Sequence, residues 1–585
     1  MGAWMRHMGR NERYGTLFFG CCVAVVAWQC FIVALDTQLG GVGRMLHEWH
    51  VVAISVANAL LLLFPYWLLR RRWRWLMWIP LALLTVWCLM QTCYCRAYDD
   101  LMPWQSLTLT DNVNSTLMSS TVALLRWQDL LIVVPFLLLV ALCLLGRREG
   151  GDGSRLKSFL YTLLASAVIG VVGYVDGTDN YKRRFLHNFS NREYFGQNGF
   201  LPYCAFSLYQ AALNSHTLTD DERAEVQRFL DEECPHYTDN RFALTGGRNL
   251  VLIIVESLHT WPIGMEVDGR EVTPSLNRLL AGDSVIYAPH VLFQTSHGHS
   301  SDAHFIYNTG LLPLRDGVVA VNWGQGPFPT LAAALKGYDC RELICTPGVN
   351  WNQNVTARTY GFDTLYTRDH LEASGALARH GGVDDAAMTD FAAALLSQLR
   401  QPFFLEMVTM TMHTPYTDGK VRPSWITASD TLTAEARGYL NCVNVTDSCI
   451  GAFVDDLRRQ GLWENTVVAI VSDHTQVYRN RVEGRSDYEF VPDDWGIPLI
   501  VLGCDTTLRY DDIIGQVDVY PTLLDVMGAN AYPWKGLGYS ILRYPVKGAV
   551  QPRNMTVIGD STDLTPHQFK AWDISRLMIY DGWSF

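Results

Sequence analysis

Two patterns of apolar residues divide this chain. Before residue 177 they run in long unbroken blocks, at about 15–35, 51–69, 76–95, 130–146 and 156–175. A helix needs about 20 mostly apolar residues to cross a bilayer, so the blocks predict a five-helix transmembrane domain over residues 1–176. The first block, LFFGCCVAVVAWQCFIVAL, is longer than the apolar part of a signal peptide and is followed by four more, so it is expected to remain as a span. Beyond residue 247 the blocks shorten to β-branched runs: NLVLIIV (249–255), PFFLEMVTM (402–410), NTVVAIVS (465–472) and IPLIVLG (497–503). Helical segments separate them, among them PSLNRLLAG, FPTLAAALKG, AAMTDFAAALLSQLR and a run from about 433 to 460. That alternation predicts an α/β domain on a mostly parallel sheet over residues 247–585. Residues 177–246 read as a helical connector at the membrane surface, in which Thr219 and Glu222 form a capping box opening the helix DDERAEVQRFLDEE.

Composition agrees with a membrane protein, at 49% hydrophobic and 18% charged. Residues 1–180 hold 14 Lys/Arg against 11 Asp/Glu, and the remainder 32 against 47, so the outer part is acidic and nucleic acid is excluded as a partner. The basic residues cluster before the first block (Arg6, Arg10, Arg13), between the second and third (Arg70, Arg71, Arg72, Arg74) and between the fourth and fifth (Arg147, Arg148, Arg155, Lys157). Basic connections stay cytoplasmic. The N-terminus is therefore expected inside and everything after residue 176 outside, with Lys182, Arg183 and Arg184 emerging among the headgroups. Half of the 14 cysteines lie outside the spans; Cys442 and Cys449 are two helical turns apart, too far for a disulfide, and buried free thiols are expected.

In open α/β sheets ligands gather beyond the carboxyl ends of the strands. Three predicted strands end in chemistry-bearing residues: Glu256 after NLVLIIV, Asp473 and His474 after NTVVAIVS, and His413 after the strand that starts near Phe403. Two carboxylates with an imidazole suit a divalent cation such as Mn, Mg or Zn. In SHGHSSDAHFIYNTGLL (296–312), Ser300 falls near the start of a short helix, where backbone amides favour a phosphate and a metal would make the hydroxyl nucleophilic. Each of these residues has an ordinary structural alternative, a helix cap or a buried histidine. Their convergence at strand ends is what marks a site.

Together, IIVES around Glu256, QTSHGHSSDAHF around Ser300, TMHTPY around His413, VSDH at Asp473 and His474, and VDVYPTLLDVMG (517–528) resemble lipoteichoic acid synthases, a branch of the alkaline phosphatase and sulfatase superfamily that includes phosphoglycerol and phosphoethanolamine transferases. The resemblance extends over nearly the whole chain, including GFLPYCAFSLY in the connector. It implies a sulfatase-like extracytoplasmic catalytic domain in which Glu256, Ser300, Asp473 and His474 bind one divalent cation, most often manganese, with Ser300 as nucleophile where relatives commonly carry Thr. It also implies that His413 contacts the substrate phosphate and that Trp351 lines the pocket. Gln353 stands where lipoteichoic acid synthases have an Arg, and His299 where relatives often have Lys. His299 and His304 flank Ser300 and are candidates to protonate a leaving or entering oxygen, whereas Asp302 is read as stabilising the first turn of its helix.

The reaction implied is transfer of a phospholipid headgroup, phosphoglycerol from phosphatidylglycerol, through a phosphoryl-Ser300 intermediate to a hydroxyl of an envelope lipid or glycan, at the outer face of a bacterial cytoplasmic (inner) membrane. Phosphatidylethanolamine is the alternative donor, because Gln353 removes an arginine fork. Sulfatase-like or phosphodiester hydrolysis is a further alternative, though SDAH after Ser300 lacks the Pro and Arg of the sulfatase signature. A catalytically inactive lipid- or glycan-binding scaffold would not need the intact ligand set, and a transporter would need acidic residues well inside the spans, where none occurs.

Overall fold

The structure, a computed structural model, describes residues 10–37, 49–69, 71–98, 101–102, 124–145, 155–176, 195, 198–213, 218–243, 246–315, 317–348, 350–416, 420–421, 424–427, 432, 434–475 and 496–581. They form two compact units that meet in sequence at Ala212 and Leu213. The basic residues Arg6, Arg70, Arg147, Arg148 and Lys182–Arg184 lie outside the described residues.

The first unit is helical, with helices Arg10–Thr37, Trp49–Leu63, Trp78–Tyr98, Leu130–Leu145, Arg155–Asp176 and Phe200–Leu213. Among the described residues three stretches are long and apolar enough to cross a membrane, Gly15–Ala34, Trp73–Arg96 and Leu156–Val175; the apolar helices Val51–Trp67 and Trp127–Ala141 are shorter. The five apolar blocks are all helical, but two fall short of the length expected for spans. One reason is visible at Pro65, which enters the second block where the α-helix tightens into a 3-10 turn at Phe64–Trp67. Leu83, Leu137, Leu138, Leu164 and Val171 face outward, while Cys22, Cys30, Ala34, Ala59 and Cys88 pack inward, as expected where small residues let helices approach. Two polar groups pair across the helices: Gln29 Nε2 donates to Thr85 Oγ1 (2.8 Å) and to the Ile132 carbonyl (2.9 Å). Arg96 makes a two-pronged bond to Asp129 at 2.8 and 2.6 Å.

The second unit carries the sheet. Its strands are β1 (Asn249–Val255), β2 (Glu266–Val267), β3 (Arg270–Glu271), β4 (Val285–Leu292), β5 (Asp339–Ile344), β6 (Thr364–Tyr366), β7 (Phe403–Val408), β8 (Thr466–Ser472), β9 (Ile497–Leu502), β10 (Leu508–Arg509), β11 (Ile514–Gly515), β12 (Gly548–Gln551) and β13 (Thr556–Gly559). The main sheet runs β10-β4-β9-β8-β1-β7-β5-β6, with β11 also on β4; β2/β3 and β12/β13 are separate two-stranded pairs. All pairings in it are parallel except those of β9 with its neighbours β4 and β8. Every residue of β1 is buried. Its apolar side chains each contribute about 1.5–3 kcal/mol by leaving water, which explains why this all-apolar run takes the centre of the sheet.

After β1 the chain crosses to β4 on one side and then to β5 and β7 on the other, so the order reverses around β1 and leaves a crevice beyond its carboxyl end. The helix Asp220–Glu232 starts with the expected capping box, in which the Glu222 amide donates to Thr219 Oγ1 (3.3 Å) and the Thr219 amide to Glu222 Oε2 (2.8 Å). It buries Val226, Phe229 and Leu230 in the α/β core. Arg223 ties it to Asp581 at 2.8 Å. The described cysteines are all free thiols.

Candidate active site

Glu256 follows β1, Asp473 and His474 follow the adjacent β8, and parallel pairing in register places these strand ends side by side. The helix Ser300–Thr309 starts above them with Ser300 in its first turn. Ser300 Oγ lies 3.4 Å from Glu256 Oε2 and 3.4 Å from His474 Nε2. His474 Nε2 is 3.5 Å from Asp473 Oδ2 and 4.0 Å from Glu256 Oε1. Ligands each about 2.1 Å from one ion stand about 3.0–3.4 Å apart, depending on geometry, so these four side chains have the spacing of a coordination sphere.

The surroundings fit a cation too. Glu256, Asp473 and His474 are 5%, 0% and 6% exposed, and Asp473 Oδ2 has no hydrogen-bond partner. Burial and the neighbouring Glu256 push the Asp473 carboxyl up to about 6, against the opposing pull of His474, as expected of two acids held together away from water. Burial alone would lower His474, but Asp473 and Glu256 hold its pKa above the ordinary value. His474 Nδ1 donates to the Thr475 carbonyl at 2.8 Å. That bond fixes the tautomer whose Nε2 is free to ligate. The second-row contacts are equally specific: Asp473 Oδ1 accepts from the Ser257 amide (2.7 Å), Ser257 Oγ donates to Glu256 Oε1 (2.6 Å), and the Glu256 amide donates to Thr409 Oγ1 (3.0 Å). Ser257 holds a positive φ of 54°. Such backbone strain persists where surrounding bonds over-determine it.

Asp302 does more than brace its own helix. Its Oδ2 reaches back to accept from the amides of Ser296 (2.8 Å) and Gly298 (3.0 Å), closing the loop that presents Ser300. A Cβ on Gly298 would collide with the Asp302 carboxylate, so glycine is required there.

His413 sits past the end of β7, its Nδ1 donating to the Thr414 carbonyl at 2.8 Å. Burial, then Lys420, lower its pKa to about 4, so it is neutral with Nε2 open. His299 caps the Ser300 helix at φ 44° and meets the His474 ring edge-on at 5.5 Å. Burial, His474 and His297 hold His299 well below the usual imidazole range. Each of these disfavours its charged form, which runs against the expected role of ready proton donor. His304 is not beside the nucleophile either; one turn further along, it points to the sheet, 3.2 Å from Glu406 Oε1. Trp351 and Gln353 follow β5 at the same edge of the sheet but in a separate turn, where Trp351 and Asn352 take left-handed backbone angles and Gln353 is buried.

The comparisons with known proteins bear on both units. Residues 5–219 match the lipoteichoic acid synthase N-terminal domain and residues 248–529 the sulfatase domain. The chain is 23% identical over 504 residues to the lipoteichoic acid synthase of Staphylococcus aureus (strain USA300), covering 81% of this chain and 77% of that one. This chain is a lipoteichoic acid synthase-like member of the alkaline phosphatase superfamily. Solved structures agree at the level of fold. The lipoteichoic acid synthase LtaP from Listeria monocytogenes superposes with TM-score 0.52 at 17% identity, over 61% of this chain and 97% of its own. The lipooligosaccharide phosphoethanolamine transferase A (EptA) from Neisseria meningitidis reaches 0.53 at 14% identity, over 89% and 96%.

For this lipoteichoic acid synthase-like chain, sequence reading passed over several residues that hold the site. Gln516 Nε2 donates to the Asp473 carbonyl (2.7 Å), and Asp385 Oδ1 accepts from the Met410 and Thr411 amides at 2.6 and 2.9 Å. Both come from segments far away in sequence. Only Ser257, adjacent to Glu256, carried a local signal.

Proposed function

We propose that the chain is a metal-dependent phosphotransferase that moves phosphoglycerol from phosphatidylglycerol to a hydroxyl of an envelope lipid or glycan. The observation that carries the reading is Ser300 Oγ at 3.4 Å from both Glu256 Oε2 and His474 Nε2, in the first turn of a helix. Glu256, Ser300, Asp473 and His474 are the residues that would hold the cation, manganese in the first instance. When bound, it supplies Lewis acidity that lowers the pKa of the serine hydroxyl and offsets phosphate charge.

Ser300 Oγ gives up its proton and attacks the phosphorus, and the diacylglycerol oxygen leaves with the bonding pair and takes up a proton in its place. The first-turn amides, at the positive end of the helix dipole, face the charge that develops on the phosphoryl oxygens. In the second half-reaction an acceptor hydroxyl attacks the phosphoryl-serine, neutral His413 takes its proton on Nε2, since Nδ1 is committed to Thr414, and Ser300 Oγ leaves with the bonding pair and recovers that proton. Trp351 and Gln353 line the headgroup end of the pocket. The five apolar helices act as spans, with the basic connections inside and the α/β domain outside, so the nucleophile is on the same side of the bilayer as a donor lipid of the outer leaflet.

Phosphatidylethanolamine is the second reading, favoured by one feature: the buried Gln353 offers no fixed positive fork to a glycerol phosphate. Both readings are tested by incubating the purified full-length protein with manganese and either lipid, followed by intact mass and peptide mapping with Ser300→Ala as control. A glycerophosphoryl adduct on Ser300 is expected. A phosphoethanolamine adduct reverses the donor, and no adduct from either lipid on a metal-loaded protein refutes the transferase reading.

A further inference from the structure

A second group of ionisable side chains lies under the nucleophile helix. Strands β5 and β7 pair in parallel with Glu342 directly opposite Glu406, which puts both carboxylates on one face of the sheet. They are 1% and 0% exposed. The helix Ser300–Thr309 lies over that face and turns His304 and Asn308, four residues apart, toward the strands. His304 Nδ1 is 3.2 Å from Glu406 Oε1 and 3.6 Å from Glu342 Oε1, and Asn308 Nδ2 donates to Glu406 Oε2 at 2.7 Å.

The group is short of positive charge and of donors. Glu342 Oε2 and Asn308 Oδ1 are buried without a hydrogen-bond partner, whereas buried polar atoms are nearly always paired. Like charges directly across a strand pair repel, and a protonated His304 would balance only one of them. One divalent cation with neutral His304 would balance both. Separations of 3.2 and 3.6 Å between the ring nitrogen and the two carboxylate oxygens are close to the roughly 3.0–3.4 Å between ligands sharing an ion.

We propose that His304 Nδ1, Glu342 and Glu406 form a second, structural divalent-cation site that clamps the Ser300 helix to strands β5 and β7. Its ligands are buried on the sheet side of the helix, so the ion has no contact with substrate, and a second oxygen of one carboxylate or Asn308 Oδ1 completes the fourth position. One nitrogen and two or more carboxylate oxygens suit Zn or Mn over Mg.

The test is a metal count on the full-length chain in detergent, equilibrated with Mn or Zn and desalted, by inductively coupled plasma mass spectrometry. Two ions per chain are expected, and one ion in an Asp473→Ala/His474→Ala variant, in which the site beside Ser300 is disabled. A single ion in the parent chain, or none in that variant, overturns the proposal and leaves a proton-sharing His–Glu–Glu cluster in its place. X-ray absorption of the retained ion identifies its ligands without any change to the cluster itself: an imidazole among oxygens supports the assignment, and an all-oxygen shell refutes it. Adding Glu342→Gln to that background is expected to release the ion; retention with unchanged affinity also refutes the site.

Discussion

Asp302 separates positioning of the nucleophile from metal binding. Replacing it with Ala deletes the acceptor of two amide bonds, at 2.8 and 3.0 Å, that hold the loop Ser296–Gly298 against the Ser300 helix. Burial pushes the Asp302 carboxyl up to about 7, so at neutral pH the bonds lie between the roughly 0.5–1.5 kcal/mol of a neutral acceptor and the roughly 1.5–3 kcal/mol of a charged one, and two buried amides would be left unpaired. The loop can recover part of that by shifting toward water, but the shift moves Ser300. A displacement of about 1 Å in a reacting atom costs on the order of 100-fold in rate, or about 2.7 kcal/mol of barrier. Asp302→Ala is therefore expected to lower kcat for headgroup transfer about 100-fold, with little change in KM. Metal content should persist, because Asp302 is not among the group formed by Glu256, Asp473 and His474. Both amides donate to the same oxygen, Oδ2, while Oδ1 has no partner. Asp302→Asn can accordingly keep both bonds through its one carbonyl oxygen and should stay within about tenfold of the parent, since a single unmet buried donor costs about 1–3 kcal/mol. The assay is steady-state turnover of a fluorescent phospholipid in mixed micelles, with metal counted on the same preparations. Unchanged kcat in Asp302→Ala, or loss of metal in step with activity, would show that the loop is not what the carboxylate holds.

Two further outcomes follow from buried charge. Asp129→Ala strands Arg96, whose side chain is 5% exposed, and should cost about 3–5 kcal/mol; the Arg96→Met/Asp129→Leu double variant should lose far less, as read by thermal unfolding in detergent, and equal losses would contradict the pairing. Asp518 accepts from the Gly515 and Tyr539 amides, yet burial raises its carboxyl from 3.8 to about 7. Its protonated form is favoured in the fold, so its contribution is full below about pH 4 and is lost as pH rises through about 7. Asp518→Asn, which stays uncharged, should therefore gain in melting temperature relative to the parent as pH rises across that window, and a loss relative to the parent would reverse the assignment.

The strands that proved easiest to read are those whose neighbours bury both faces. NLVLIIV, NTVVAIVS and IPLIVLG became β1, β8 and β9 to within a residue of their expected limits. Strand β5 was not foreseen, because Asp339, Arg341 and Glu342 break its apolar run. Strand β4 was hidden by Pro289 and His290 within it. The same charged positions that obscured β5 supply half of the carboxylate pair beneath the nucleophile helix.

The sequence by itself determined the division into an apolar helical part and an α/β part, the polar residues at the ends of β1 and β8, and the hydroxyl near a helix start. These follow from local periodicity and from composition, which a linear reading contains. Folding alone brings Glu256 and His474 each to 3.4 Å from Ser300, buries His299 against His474, turns His304 away to Glu342 and Glu406, and sets Asp302, Asp385 and Gln516 to hold loops in place. The reason is physical. A side chain's charge state and partners depend on burial and on groups brought together across 38 to 217 residues of chain, here by the pairing of parallel strands and by a helix laid over them, and neither the dielectric nor the neighbour is encoded in the local pattern.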